Sequence, residues 1–275
     1  MHTVRHIPAV PLAHFVALIW ISEAGRFDYA NLTLPMLHHE LVINFSDHFA
    51  VHTQREKLIN NDTAWLAGLQ TQPIQTTTGG KHFTVGVLFK PWGLQALTGI
   101  DAIELQNQAI DLESIFGAAA TQLVAQIYEQ PDPQHIIPIL ERFLLQHWQG
   151  RQIPAYVSAG LEQLQQVTLQ DGIVQQIAHQ LGISEKTFIQ AFRKYIGVTP
   201  GKLHHLFILQ RLLLHLVNNP GQSLTESGYA LDFFDQAHFI RFFKQYTGFT
   251  PSAYVRAYQA GKIVAAAPYS IELVP

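Results

Sequence analysis

The spacing of hydrophobic positions changes character near Pro91. Before it, short runs rich in β-branched and aromatic residues show partial period-two alternation: "HFVALIWIS" (14–22), "HHELVINFS" (38–46), "HFAVHT" (48–53), "TAWLAGLQ" (63–70) and "HFTVGVLF" (82–89). These runs predict strands. In "HHELVINF" the residues His39, Leu41, Ile43 and Phe45 fall on one face, as strand geometry requires. After Pro91 the period lengthens, and "WGLQALTG", "DLESIFGAAATQLVAQIYEQ" and "PQHIIPILERFLLQHWQ" predict helices, with Asp111 as an N-cap and Pro131 and Pro133 as punctuation. Strands first and helices afterwards predict an α+β domain over residues 1–150, and "QGRQIP" (149–154) reads as the linker that follows it.

Beyond the linker the pattern is helical throughout, with segments expected at 155–166, 173–180, 184–195, 200–217, 223–230, 235–246 and 251–258. Within "IVQQIAHQLGISEKTFIQAFRKY", the residues Ile177, Ala178, Leu181, Ile183, Phe188 and Phe192 can form one core between two crossed helices. Ala178 is small enough for close approach, Gly182 suits a turn needing positive φ, and Ser184 caps the second helix. That is helix-turn-helix grammar, in which the second helix enters the DNA major groove.

The same phrase then returns. "SEKTFIQAFRKYIGVTP" (184–200) aligns without a gap to "DQAHFIRFFKQYTGFTP" (235–251), fifty-one residues later. In the second copy Gly228 takes the small position, Asp232 the turn and Asp235 the N-cap. The connecting "GKLHHLFILQRLLLHLVNN" reads as a helix of about 18 residues, roughly 27 Å long. Such a strut could hold two reading helices about one DNA turn, roughly 34 Å, apart. Two units fall short of the three repeats an α-solenoid needs.

Composition removes several other functions. No Cys occurs in the 275 residues, which excludes thiolate catalysis, disulfides and Cys-ligated zinc. The apolar start is interrupted by Pro8, Pro11 and His14 and has no clear cleavage site, so it reads as an early strand of a cytoplasmic protein with no membrane segment. Fifteen His suggest a metal, but no H-x-H occurs, and the adjacent His38 and His39 would face opposite ways on a strand. No G-x-S-x-G, Walker loop or G-x-G-x-x-G is present, so no catalytic residue, cofactor or metal site is assigned and the chain is not expected to be an enzyme. His204 and His205, on the strut, read as surface groups near DNA. Charge divides unevenly. Residues 1–150 carry 7 Lys and Arg against 13 acids, whereas residues 168–258 carry 8 against 5, a net +3 that suits a polyanion.

With "FRKYIGVTP", "FFKQYTGFTPSAY" and the preceding "DFFDQAHFIRFFK" in view, residues 168–258 resemble the DNA-binding domain of AraC-type transcriptional regulators. Residues 1–150 are more loosely similar to the sensory domain of a poorly characterised subset of that family, through "HHELVINF", "VGVLFKPWGLQALTGI" and "AIDLESIFG" in order. The resemblance implies a β-barrel-like, cupin-like sheet with helices in the N-terminal domain. It implies an all-α double helix-turn-helix domain over residues 151–258, with residues 259–275 as a tail. It also implies a sequence-specific regulator of transcription, activator or repressor, acting on double-stranded DNA. A small-molecule effector, RNA polymerase and a second copy of the chain stand as further partners left open. Two other readings of the N-terminal domain also stay open, a cryptic metal-free enzyme and a pure oligomerisation module. A pocket inside the barrel could lie near His39 and Trp92, although core packing is the preferred reading of each.

Helix periodicity then sorts the side chains. Lys186, Ile189, Gln190 and Arg193 on the first reader, and Gln236, Ala237, Ile240 and Arg241 on the second, point away from the Phe pairs and are the base-reading candidates. Gln suits adenine, Arg suits guanine and Ile suits a thymine methyl. Lys194, Lys202, Lys244 and Arg256 are the phosphate candidates. Phe192, Tyr195, Phe243 and Tyr246 are expected in the core. The chain departs from the family pattern at Gln190, usually near an Arg, at Ser227 and Gly228, usually a large aliphatic and Ala, and at Asp232, usually Gly.

Overall fold

The computed structural model describes residues 2–25, 29–52, 57–59, 63–130, 132–219, 228, 233, 235–260, 263–267 and 270–273. Ten strands come from the N-terminal half: β1 (His2–His6), β2 (Val16–Ala24), β3 (Tyr29–Thr33), β4 (Glu40–Asn44), β5 (His48–His52), β6 (Lys57–Ile59), β7 (Ala64–Ala67), β8 (Ile74–Gly79), β9 (His82–Phe89) and β10 (Ala109–Asp111). Two more, β11 (Ile263–Ala267) and β12 (Ser270–Leu273), come from the C-terminal tail. They form two six-stranded sheets, ordered β1-β2-β9-β4-β7-β10 and β11-β12-β3-β8-β5-β6. All the paired strands are antiparallel, and neither sheet closes on itself into a continuous barrel.

One face of the first sheet carries the core of this half. Ile19, Ile21, Leu41, Ile43, Val85 and Val87 are all 2% exposed or less and share a cluster with Leu123, Ile127, Leu140 and Leu144. The last four belong to α3 (Ala118–Tyr128) and α4 (Pro133–His147), which follow α1 (Gly93–Thr98) and α2 (Leu112–Phe116). Each such side chain contributes about 1.5–3 kcal/mol by leaving water. Asp111 caps α2 by accepting the Glu113 N–H. Gly117, at φ +55°, divides what the periodicity reads as one helix into α2 and α3.

The helical half follows its periodicity closely: α5 (Ala155–Gln166), α6 (Ile173–Gln180), α7 (Glu185–Tyr195), α8 (Pro200–Asn218), α9 (Gln236–Thr247) and α10 (Pro251–Gln259). α8, α9's partner α10, and α4 all begin with Pro in the first turn, where the missing N–H costs nothing. Of the expected helix at 223–230, only Gly228 is described, and it is helical; Ser227 and Asp232 lie outside the described residues. Gly160 of α5 sits against the ring of Phe188, and a Cβ there would lie 2.5 Å from it. Because that ring is fully buried, Gly160→Ala should destabilise the chain by about 1–3 kcal/mol despite the better helix propensity of Ala. Chemical denaturation of the two proteins checks this.

Candidate nucleic-acid interface

The first unit is α6, a turn and α7. Gly182 stands at φ +69° and frees the chain to reverse, so that Ile183 N–H donates to Ala178 O at 3.1 Å. Ser184 Oγ then accepts the Thr187 N–H at 3.1 Å, satisfying one of the open donors at the start of α7. Phe188 and Phe192 are 0% exposed and meet edge to face with centroids 4.5 Å apart. Burial of that pair fixes the rotation of α7, which leaves Lys186, Gln190, Arg193 and Lys194 exposed and Ile189 half-buried.

The second unit repeats the device. Asp235 Oδ1 accepts the His238 N–H at 2.6 Å, and Phe239, Phe242 and Phe243 are buried. Phe233 packs edge-on against both Phe239 and Phe242. Gln236, Ala237, Arg241 and Lys244 are exposed and Ile240 is half-buried. Arg256, on α10, is exposed as well. At Gly228 a Cβ would meet Phe239 at ordinary contact distance, 3.6 Å, so space does not demand glycine there.

The strut differs from its reading as a DNA-facing surface. His204 is 2% exposed, its Nε2 lies 3.4 Å from Val167 O, and burial lowers its pKa. His205 Nδ1 lies 3.0 Å from the Tyr246 hydroxyl, and its ring meets Phe242 edge-on. Burial first, then the charges of His204, Lys202 and His238, push its pKa down to about 4. His204 is buried and His205 half-buried, because Leu203, Leu206, Phe207, Ile208, Leu209 and Leu212 bury α8 on several sides. Lys202 is half-buried with Nζ 4.4 Å over the Tyr246 ring, and desolvation lowers its pKa. Lys202, His205 and Tyr246 together bolt α8 to α9. Phe192, Phe243 and Tyr246 are in the core, while Tyr195 is half-buried.

The sequence gives no sign of a third feature, the seam between the two halves. His39 is 0% exposed, and its Nε2 lies 2.9 Å from Pro91 O and 3.1 Å from Ile196 O. Both partners accept, so Nε2 carries the proton and Nδ1 is bare; Nδ1 has no hydrogen-bond partner among the described residues. Ile196 is the residue that ends α7. Beside it, Gly197 at φ +92° lets the chain approach Ala102, whose carbonyl oxygen would lie 2.9 Å from any Cβ. Lys194 Nζ reaches Asp101 Oδ1 at 4.0 Å, and both are too exposed for the pair to contribute much. Leu34, Leu37 and Leu69 of the sheet domain share the core cluster of the helices. Thus the N-terminal half grips the end of α7 while its outer face stays open.

Comparison with known proteins agrees with this division. Residues 177–257 match a family model described as a helix-turn-helix domain, and residues 4–111 match a domain of unknown function, DUF6597. An uncharacterized HTH-type transcriptional regulator of Haemophilus influenzae is 26% identical over 151 residues, which make up 55% of this chain and 48% of that protein. The chain therefore spans about half the length of this curated relative. Among solved structures, ToxT from Vibrio cholerae aligns over 86% of this chain and 97% of its own, with 11% identity and a TM-score of 0.44. The AraC-like transcriptional activator CuxR aligns over 77% and 86%, with 16% identity and a TM-score of 0.31. Residues 177–257 thus match a helix-turn-helix domain, carried behind a sheet-rich N-terminal domain.

Proposed function

We propose that the chain is a sequence-specific regulator of transcription whose helices α7 and α9 read successive major grooves of double-stranded DNA under the control of its N-terminal half. One observation carries the reading. Two capped helices pack against one strut, each with a phenylalanine pair buried and a polar, basic face exposed. The 19 residues of α8 extend about 28 Å, close to the roughly 34 Å repeat of the duplex. On this reading Gln190, Arg193, Gln236 and Arg241 address base edges, with Lys186, Ile189, Ala237 and Ile240 beside them. Lys194, Lys244 and Arg256 hold phosphates. Lys202 shares that role only to the extent that it leaves Tyr246.

Residues 1–150 form the controlling half and residues 151–258 the reading half, while in the tail β11 pairs with β12 and β12 pairs with β3 of the first half. The seam at His39 gives control a physical route, because it ends on the last residue of the first reader. The named relative favours a regulator, and no described helix is long and apolar enough to cross a membrane. A cytoplasmic protein with a small-molecule effector fits this reading.

Arg241→Ala tests the base-reading claim. It should cost about 1–3 kcal/mol of DNA affinity and relax the preference at particular base pairs, while Arg256→Ala weakens all sequences about equally. Competition binding across a set of singly substituted duplexes measures both. Equal, sequence-independent losses would contradict base reading by Arg241.

A further inference from the structure

We propose that the face of the first sheet turned toward the second sheet binds a small organic cation, with the Glu40 carboxylate as its counter-charge and the Trp20 indole as an aromatic wall. This deepens the reading of the N-terminal half as the controlling one, and names the chemistry of the ligand it would take.

Register places the residues. Across β2, β9, β4 and β7, one row holds Leu18, Leu88, Glu40 and Ala67, and the next holds Trp20, Gly86, Val42 and Trp65. A third row, Ser22, Thr84 and Asn44, lies beyond them. These residues alternate with Ile19, Ile21, Leu41 and Ile43, which pack against the helices, so they face the other way. The stack of Phe49 of β5 on Trp65, centroids 5.4 Å apart, shows that the second sheet covers this face.

The face is built, not merely left over. A Cβ on Gly86 would lie 2.2–2.4 Å from three atoms of the Trp20 indole, so the ring lies directly on the Gly86 backbone. The indole Nε1 donates to Glu40 Oε1 at 3.1 Å and fixes the carboxylate. The third row is cross-linked: Thr84 Oγ1 donates to Asn44 Oδ1 at 3.0 Å, and His82 lies 3.1 Å from both Ser22 Oγ and Ser46 Oγ. A ligand therefore meets a charge and an aromatic plane at one end and hydroxyls and an amide at the other.

Glu40 is the unusual member. Surrounding protein raises its carboxyl to about 7, the indole N–H opposing that rise, yet the residue keeps accessible surface. No Lys or Arg among the described residues pairs with it; the ion pairs there are His6–Glu141 and Lys194–Asp101. A desolvated carboxylate without a cation is costly, and a ligand that supplies one removes the cost. An aromatic face adds attraction for the same charge. An anion would be repelled, and a neutral polyol would leave the charge uncompensated. Glu40 also follows His39 directly, so occupancy bears on the strand end that holds Ile196 O.

The test uses the full chain with putrescine, agmatine and phenethylamine as cationic probes, and octanoate and glucose as anionic and neutral ones. Thermal shift and tryptophan fluorescence should detect at least one cationic probe and neither of the others. E40Q keeps an acceptor for Trp20 and should weaken that binding at least tenfold. Should E40Q fail to fold, the wild type still decides. Affinity for the cation should rise severalfold between pH 5.5 and pH 7.5 as Glu40 ionises, with proton release on binding. His39 beside Glu40, its pKa pushed down to about 4, stays neutral in that window, and burial lowers the pKa of His38 beside it and of His82 on the same face. Failure of every cationic probe, binding of octanoate or glucose instead, unweakened binding by E40Q, or pH-independent affinity would each overturn the proposal. DNA affinity, measured separately, distinguishes loss of this site from failure of the DNA-reading account.

Discussion

Phe192→Ala is expected to lower the unfolding free energy by about 3–5 kcal/mol and to remove DNA binding by the first reader. The ring is 0% exposed, packs edge-on against Phe188, and belongs to the cluster that joins α5, α6, α7 and α8. Its carbonyl also receives the Ile196 and Gly197 N–H groups that end α7, so a shift of the helix disturbs the seam to the sheet domain. The expected loss is a large share of the 5–15 kcal/mol that typically holds a domain together. Gln190→Ala, two residues earlier on the exposed face, should leave stability within about 0.5 kcal/mol of the wild type. Urea denaturation of the two variants separates them; equal midpoints would mean that α7 is not anchored by this ring.

The second large effect is a pair of opposed pH responses at neighbouring positions. His39 is fully buried and neutral, its pKa pushed down to about 4 by desolvation, while the backbone carbonyls of Pro91 and Ile196 oppose that shift. Between the ordinary value of 6.5 and about 4, the unfolded chain holds a proton that the native state refuses. Stability is therefore lost as pH falls through that window, by up to about 3 kcal/mol at 1.36 kcal/mol per unit. Glu40 behaves in the opposite sense. Its native pKa of about 7 exceeds the ordinary 4.5, so the native state holds the extra proton and stability falls as pH rises through that window. In the wild type the two slopes largely cancel between pH 4.5 and 6.5. In E40Q the histidine slope should emerge, reinforced by His38, His82, His204 and His205, whose pKa values are all lowered by burial. Denaturation midpoints at pH 5.0, 6.0 and 7.5 test this. An E40Q protein no more acid-sensitive than the wild type would contradict the raised pKa of Glu40.

The helical half was legible because its signals are local. Gly182 at positive φ, the caps Ser184 and Asp235, and the Phe188–Phe192 and Phe239–Phe243 spacings each act within one or two turns of helix. Strands depend on partners, and the ones that went unread show it. "IQTTTG" is largely polar on both faces and is absent from the strands read by alternation, but becomes β8 through its pairing with β3 and β5. β11 and β12 lie in the tail, and β12 pairs with a strand nearly the whole chain away in sequence. Gly117 cut one expected helix in two because at φ +55° its backbone lies outside the helical region. Among the site residues, exposure of the polar face of α7 and α9 followed from the apolar period. The burial of His204 and His205 did not, since α8 is enclosed on faces that its own sequence does not distinguish. The seam at His39 and the row that joins Trp20, Gly86 and Glu40 arise from register and domain contact, which no single segment encodes.

Selection of bound sequences from a random duplex pool, with the full chain, tests the two-reader claim most directly. The account predicts two short blocks spaced by about 10 base pairs, the block read by α9 being the more sharply defined. Gln190, which adds no charge where the resembling family places Arg, should make the other block depend on adenine contacts and local shape. Gln190→Arg should move that block toward guanine and leave its companion unchanged. A profile with a single block, or a variant profile identical to the wild type, would contradict the account.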